Sequence, residues 1–169
     1  MTAIRNQLLD FLPFKKGVLA NPNKTTGAPV PLVASVTTEG RAGIRKIRIR
    51  DHEIISDSGY KTGGSDFGPV PAELAVAALA GCLSHGWVGQ AALRDVQLRA
   101  LRIDVETAPA PEGSKAPASL RYTVIVDSDA SAETLEEIRA HVDEHSYVRR
   151  LLGAPVQIGG SVTQTGGAA

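Results

Sequence analysis

The chain has 169 residues, of which 43% are hydrophobic, which is the size and apolar content of one domain with its own core. Its 18 basic and 18 acidic residues cancel, so the charge balance disfavours nucleic acid and membrane surfaces as partners. A single cysteine excludes a disulfide bond within one chain.

Two features of the sequence favour a soluble, cytoplasmic protein. The longest apolar run, Leu74–Leu83, is shorter than the roughly 20 residues of a membrane-spanning helix and is typical of a buried core helix. The first residues, Met1–Asp10, lack the apolar segment of a secretory signal peptide.

Residues 1–30 are predicted to form an N-terminal helical arm, and residues 31–169 the main domain. Apolar residues at helical spacing predict an amphipathic helix over Ile4–Phe14, which Pro13 is expected to stop. A loop rich in Asn, Pro, Lys and Gly is predicted from Gly17 to Pro31.

Three short strands are predicted at the start of the main domain from β-branched residues and from alternation of apolar and polar side chains. They are Pro31–Thr38, Ile44–Arg50 and Glu53–Ser56. The dipeptide Glu39-Gly40 is expected to form the turn between the first two strands.

The longest predicted helix runs from Pro71 roughly to Arg94, after a rigid, Gly- and Pro-rich approach over Gly63–Pro71. The helix is apolar on nearly all faces, which predicts that it is buried. Many of its side chains are small, so we expect a second helix or a partner subunit to pack closely against it.

The rest of the chain alternates between strands and helices, which together with the preceding elements predicts an α+β fold. Ser131 or Asp129 is expected to cap the first of these helices. The predicted elements are strands Leu98–Val105 and Leu120–Val126, helices Ala132–Glu144 and Tyr147–Leu152, and a closing strand, Val156–Thr163.

Cys82 lies in the long predicted helix, and two interpretations of it stay open. A lone cysteine in an alanine-rich helix is usually a small buried hydrophobic residue. However, His85 lies three residues later on the same helical face, and an imidazole beside a thiol raises the fraction of thiolate, which is the nucleophile. His85 itself is alternatively a core histidine bonded to the backbone.

The remaining polar clusters predict no further chemistry. The basic strand Arg41–Arg50 is interpreted as a solvated face. His141 with Asp143–His145 lacks cysteine partners and a further strong ligand, so we expect no metal site. Because the sequence has neither a Gly-rich phosphate loop followed by Lys nor a nucleophile elbow, we expect no cofactor.

Two parts of the chain resemble the OsmC/Ohr family, the osmotically inducible and organic hydroperoxide resistance proteins of bacteria. Gly64–Leu74 followed by Ala77–Cys82 is similar to the approach loop and cysteine-bearing helix of that family. Glu144–Tyr147 and Leu152–Val156 are similar to its last helix and strand. The resemblance covers about residues 32–163 and leaves the first thirty as an additional arm.

The resemblance implies an OsmC-like intertwined homodimer, with the β-sheet packed around a buried central helix and two active sites near the subunit interface. It also implies a reactive thiolate, Cys82, that attacks an organic hydroperoxide to give a sulfenic acid. In the family a second cysteine then forms a disulfide. An arginine on an early hairpin holds the thiolate there, and a glutamate ahead of the helix orients that arginine.

The chain departs from this pattern at two positions. Ala72 stands at the glutamate position, with Glu73 one residue away, and His145 stands where the second cysteine is expected. The two-cysteine cycle is therefore impossible within one chain, and residue 145 is predicted to lie close to Cys82. The arginine corresponds loosely to Arg41, with Arg45 as its rival.

These observations predict a one-cysteine thiol protein that reduces organic hydroperoxides, or performs related thiolate chemistry, with an external thiol reductant. The predicted partners are a small apolar hydroperoxide or other small molecule, the external thiol and a second copy of the chain. The alternative is a non-redox small-molecule-binding or hydrolytic protein on the same fold. The predicted site consists of Cys82 as the nucleophile, His145 and His85 as bases or charge partners, Arg41 or Arg45 as the thiolate-stabilising cation, and Glu73 as an orienting acid.

Overall fold

The computed structural model describes residues 2–21, 31–40, 43–114 and 117–164. Its fold mixes helices and strands in the predicted α+β order. In chain order the elements are helix α1 (Thr2–Leu19), strands β1 (Ser35–Glu39), β2 (Ile44–Ile49) and β3 (His52–Ser56), helix α2 (Pro71–Leu93), strands β4 (Ala100–Thr107) and β5 (Leu120–Asp127), and helices α3 (Ala132–His145) and α4 (Tyr147–Gly153).

The strands of the described residues form two separate antiparallel sheets. β2 pairs with both β1 and β3, so that Ile47 lies opposite Val36 on one side and Ile54 on the other. β4 and β5 pair over their whole length, from Ala100 opposite Asp127 to Thr107 opposite Leu120. The single chain therefore presents two small sheets rather than one continuous sheet.

The core lies on the side of α2 that contacts α1, β4, α3 and α4. Leu83 of α2, Ile138 of α3 and Leu98 just before β4 are completely buried there. Gly86 lies where α2 crosses α3, and a Cβ atom at this position would be 3.1 Å from Cγ1 of Val142. The missing side chain therefore lets α3 pack closely on α2.

Only one side of α2 is buried in the single chain. Six of its 23 residues are buried, and the rest of the helix is partly or fully exposed. By length and composition alone α2 could also cross a membrane, but the elements packed on it are those that surround a core helix. Close packing of a second helix or subunit on its open side stays a prediction.

The prediction that Pro13 stops the first helix is wrong, because α1 continues to Leu19. A proline inside a helix removes one backbone donor and crowds the preceding turn. Tertiary contacts offset this cost, since Leu12 is buried against the core and Lys16 forms a 2.5 Å ion pair with Asp95 beyond the end of α2. The predicted loop therefore begins later, and its residues 22–30 lie outside the described part of the chain.

The predicted closing strand, Val156–Thr163, is also wrong for the single chain. Residues 155–164 belong to neither sheet, and Ile158 and Val162 are 94% and 96% exposed. Alternating side chains form a strand only where a neighbouring edge accepts their backbone hydrogen bonds. The other predicted elements all exist, with ends shifted by a few residues, and Ser131 is the residue that caps α3, accepting from the backbone N–H of Thr134 at 3.2 Å.

Candidate functional site

Cys82 lies in the middle of α2, half-buried, on the side of the helix that faces the junction between α3 and α4. α4 packs against α2 along this side. The sulfur is therefore neither sealed in the core nor fully in solvent, which is the environment in which a thiol can meet a small reactant.

The side chain that contacts the sulfur is Ser146. Its Oγ donates a hydrogen bond to Sγ of Cys82 at 3.2 Å, and the residue itself is 6% exposed. Ser146 ends α3 and begins α4: its backbone N–H donates to the carbonyl of Val142 at 2.9 Å, and its Oγ accepts from the N–H of Arg149 at 3.4 Å. These two helix ends hold the hydroxyl oxygen beside the sulfur, to which it donates. A donor held in this way stabilises negative charge on the atom it faces.

The sequence analysis missed Ser146. A serine between two helical segments is a helix N-cap signal, and that part of its role is visible without a structure. Its contact with Cys82 spans 64 positions of the sequence and depends on how α4 packs on α2, so no local pattern reveals it.

His145 does not occupy the predicted position against Cys82. Its Nδ1 is 2.9 Å from the backbone carbonyl of His141, and the two imidazole rings stack with their centroids 4.1 Å apart and their planes 12° apart. The ring therefore lies along the last turn of α3. The residue that reaches the sulfur is the next one, so the predicted register at the end of α3 is wrong by one position.

His85 and Glu73 lie on α2 with Cys82 but form no hydrogen bond with it. His85 is exposed and has no hydrogen-bond or ion-pair partner among the described residues. Glu73 accepts a hydrogen bond from the backbone N–H of Val70 at 2.8 Å, which satisfies a free donor at the start of the helix. In the single chain Glu73 therefore caps its own helix.

A buried carboxylate holds the loop that leads into α2. Asp57 is completely buried and accepts from the backbone N–H groups of Ser58, Ser65 and Phe67 at 2.7, 3.0 and 3.2 Å. These bonds, the one from Ser58 first, lower the pKa of Asp57 below its usual value of 3.8. Gly64 closes the same turn, because a Cβ there would be 1.8 Å from the carbonyl oxygen of Ser58.

Arg45 contacts this loop rather than the cysteine. Its Nη1 donates to Oγ of Ser58 at 3.2 Å, and its charge contributes to the lowered pKa of Asp57. Arg41, the other predicted arginine, lies outside the described residues. In the single chain, therefore, none of the predicted site residues that the structure describes forms a hydrogen bond with Cys82.

A cavity of about 590 Å³, which we call the Arg149 cavity, lies between α2, β5 and α4, and neither Cys82 nor Ser146 is among its lining residues. Leu79 lies one helical turn before Cys82 on α2, and Arg149 lies one turn after Ser146 on α4. The cavity is lined by Leu79, Pro117, Ala118, Ser119, Leu120, Tyr122, Arg149, Leu152 and Gly153. Its walls combine apolar side chains with polar groups, and Arg149 is the one charged side chain among these residues.

A polar network borders this cavity and centres on Asp143 of α3. The hydroxyl of Tyr122 donates to Oδ1 of Asp143 at 2.5 Å, and Nη1 of Arg139 donates to Oδ2 at 2.5 Å. Burial, and then the hydrogen bond to Asp143, raise the pKa of Tyr122. Arg149 donates from Nη1 to the backbone carbonyl of Asp143 at 3.1 Å, while its Nε stays 3.6 Å from Oδ1.

A second cleft, of about 740 Å³, lies between β5 and α3 and is lined in part by Trp87, Val124, Leu135 and Arg139. The indole N–H of Trp87 is buried and has no hydrogen-bond partner among the described residues.

The described residues contain no group of three or more His, Cys, Asp or Glu side chains placed to hold a metal ion.

The family model described as "OsmC-like protein" matches residues 62–159, which is more than half of the chain and includes both Cys82 and Ser146. No curated protein sequence matches the chain significantly.

Several solved structures share the fold. An OsmC-like protein from Mycoplasma pneumoniae has a TM-score of 0.64 at 13% identity, covering 75% of this chain and 89% of its own. An organic hydroperoxide resistance protein OsmC from Legionella pneumophila has a TM-score of 0.55 at 15% identity, covering 75% and 91%. A putative organic hydroperoxide resistance protein from Vibrio cholerae, with captopril bound in one of its active sites, has a TM-score of 0.56 at 17% identity, covering 77% and 89%. At these identities the similarity shows the fold.

Proposed function

The chain belongs to the OsmC-like family, and on that premise we propose that it is a one-cysteine thiol protein whose Cys82 reduces organic hydroperoxides with the help of an external thiol. The observation that carries the proposal is the hydrogen bond from the buried Ser146 hydroxyl to the sulfur of the half-buried Cys82. A half-buried thiol with a fixed donor has the parts of a nucleophilic site.

The chemistry follows from these parts. The Cys82 thiolate attacks one peroxide oxygen, the O–O bond breaks, and the alkoxide leaves and takes up a proton, so that an alcohol and a Cys82 sulfenic acid are formed. Ser146 stabilises the thiolate through its hydroxyl. Because serine has no thiol, the sulfenic acid has no resolving partner at this position, and a thiol from outside the chain must complete the cycle.

Two proteins of the same fold support this proposal. One is named an organic hydroperoxide resistance protein, and another holds captopril in one of its active sites. The second protein therefore shows that an active site on this fold can hold a small organic molecule.

The remaining predicted residues stay proposals. We infer that a second copy of the chain covers the open side of α2, and that Arg41 or Arg45 approaches the thiolate only in that assembly. Within one chain Arg45 is bonded to Ser58 and Glu73 to the start of its own helix. His85 remains a proposed charge partner of the thiolate, although no contact to the sulfur supports it.

The proposal is tested by trapping the oxidised cysteine. One equivalent of cumene hydroperoxide should produce a sulfenic acid that dimedone converts to a single adduct on Cys82, seen by mass spectrometry, and excess thiol should then give turnover. The Cys82→Ser variant should give neither. Ser146→Ala should slow adduct formation about tenfold or more, because a hydrogen bond to a charged group contributes about 1.5–3 kcal/mol. An unmodified wild-type chain after peroxide would contradict the proposal.

A second candidate function is non-redox binding of a small molecule. The cleft between β5 and α3 favours it, because its volume of about 740 Å³ suits a small organic ligand. The Cys82→Ser variant separates the two functions, since ligand binding in this cleft would survive the substitution while peroxide reduction would not.

A further inference from the structure

The corner between α3 and α4 is held by the side chain of Arg149 as well as by Ser146. Nη1 of Arg149 donates to the backbone carbonyl of Asp143 at 3.1 Å, and its Nε lies 3.6 Å from Oδ1 of the same residue. Asp143 precedes Ser146 by three residues and Arg149 follows it by three. This contact, which we call the Asp143–Arg149 bridge, therefore joins the last turn of α3 to the first turn of α4 across Ser146.

The N-cap bond at the start of α4 is by itself a weak restraint on the hydroxyl of Ser146. The backbone N–H of Arg149 donates to Oγ at 3.4 Å, which is longer than the usual range of about 2.7–3.2 Å for such bonds. In addition, α4 has only seven residues, and a helix this short is not stable without contacts to the rest of the protein. The bridge supplies one of these contacts at the corner itself.

The bridge is anchored to the sheet through Asp143. The hydroxyl of Tyr122 on β5 donates to Oδ1 of Asp143 at 2.5 Å, and the Asp143 side chain is 17% exposed. A continuous series of contacts thus runs from β5 through Asp143 and Arg149 to the corner. There Oγ of Ser146 donates to Sγ of Cys82 at 3.2 Å.

On the basis of the function proposed above, we propose that Arg149 is a positioning residue for the thiolate of Cys82. Its bridge to Asp143 fixes the angle between α3 and α4, and this angle keeps Oγ of Ser146 beside the sulfur. A hydrogen bond weakens as it becomes longer or bent, and one to an ionised acceptor contributes more than a neutral one. Loss of the bridge should therefore weaken the stabilisation of the thiolate, although the group that contacts the sulfur is still present.

The test measures the rate at which iodoacetamide alkylates Cys82 as a function of pH. Only the thiolate reacts, so the midpoint of this curve is the pH at which half of the thiol is ionised. The Ser146→Ala variant should move the midpoint upward by about one unit or more, because a hydrogen bond to a charged group is lost. Arg149→Gln should move it in the same direction by about half a unit, since the bond is weakened and not removed.

Two further substitutions of α4 serve as controls. Arg150→Gln removes the same charge from the next residue, which is exposed and takes no part in the bridge, and should keep the wild-type midpoint. Arg149→Lys keeps the charge but has a single ammonium group in place of the planar guanidinium, and should keep part of the effect.

The Tyr122→Phe variant tests the same series of contacts from its other end. It removes the anchor of Asp143 and leaves both Arg149 and Ser146 in place, so it should move the midpoint upward by less than Arg149→Gln does. Circular dichroism verifies that each variant is folded, and Tyr122→Phe carries the test if Arg149→Gln does not fold.

A double-mutant cycle separates positioning from a direct effect of charge. In the Ser146→Ala background, Arg149→Gln should have no further effect on the midpoint, because the group that it positions is absent. An equal shift in both backgrounds would mean that the guanidinium acts on the thiolate through its charge, and this inference would be wrong.

The failures of the two proposals are distinguishable. Absence of a dimedone adduct after cumene hydroperoxide overturns the proposed function, whereas the alkylation midpoints test the positioning separately. If Ser146→Ala keeps the wild-type midpoint, the contact that carries both proposals has no effect on the thiol. If Ser146→Ala moves the midpoint but Arg149→Gln and Tyr122→Phe do not, this inference alone is overturned.

Discussion

At the scale of single residues, the hydroxyl of Ser146 lies where a resolving thiol would have to lie. Its oxygen is 3.2 Å from the Cys82 sulfur, and a disulfide requires two sulfur atoms at about 2.05 Å on side chains that face each other. The two side chains already face each other here, so a thiol in place of the hydroxyl would need to approach the sulfur by only about 1 Å more.

The Ser146→Cys variant should therefore form an intramolecular disulfide between its new thiol and Cys82 on mild oxidation. The measurements are a mass loss of about two daltons, one for each hydrogen lost from the two thiols, and faster migration on a gel without reductant. His145→Cys is the matched control: because His145 lies along α3 beside His141, that variant should keep two free thiols. A bridge in the His145→Cys protein and none in Ser146→Cys would mean that the end of α3 has the other register.

The one-position error at His145 has a simple physical cause. Neighbouring residues of a helix point about 100° apart, so a register shift of one residue exchanges the side chain that faces α2 for one that does not. The composition of this segment predicts a helix end near the correct place. Only the bonds of Ser146 to Val142 and Arg149 determine which residue faces Cys82.

The Asp57→Asn variant should be less stable than the wild type near pH 7, because the amide lacks the charge that strengthens the three backbone hydrogen bonds. Since the folded-state pKa of Asp57 lies below its ordinary value of 3.8, the stabilisation by the carboxylate is fully present above pH 3.8 and is lost as the pH falls through the folded-state pKa. Urea midpoints measured from pH 7 downward should therefore converge for the two proteins below pH 3.8. A difference that does not change with pH would show that the charge is not the cause.

At the scale of elements, local patterns predicted most helices and strands, because β-branched and alternating residues determine β2, β3, β4 and β5 over short distances. The two failures both depend on distant residues. α1 passes through Pro13 because the core and Asp95 hold it from outside. Residues 155–164 alternate like a strand but have no paired edge in the single chain.

The crossing of α2 and α3 depends on the absence of a side chain at Gly86. An added Cβ would lie 3.1 Å from Val142, which is tighter than an ordinary contact, whereas at Gly89 it would meet only Cδ1 of Leu19, at 3.6 Å. Gly89→Ala should stabilise the protein by about 0.5–1 kcal/mol through helix propensity. Gly86→Ala should be clearly less stable than Gly89→Ala in denaturant titrations. Equal stabilities would mean that Val142 moves aside without cost.

At the scale of the whole molecule, the single chain leaves apolar surface uncovered on α2 and on the three-stranded sheet, where Val36 and Ile54 are exposed. Soluble chains rarely expose large contiguous apolar patches. We therefore expect sedimentation equilibrium at micromolar concentration to give twice the chain mass of 17.7 kDa. A mass equal to one chain would contradict the proposed homodimer. It would also contradict the proposal that Arg41 or Arg45 approaches Cys82 in that assembly.

The burial of Trp87 gives the protein an internal optical signal. Trp87 is the one tryptophan of the sequence, it is 3% exposed, and its N–H has no hydrogen-bond partner among the described residues. An indole shielded from solvent emits at shorter wavelength than an exposed one, so its emission should shift to the red when the core opens. Trp87 follows Cys82 by five residues on α2, so each oxidation state of the thiol can be examined for loosening of this helix by its fluorescence, without any added label.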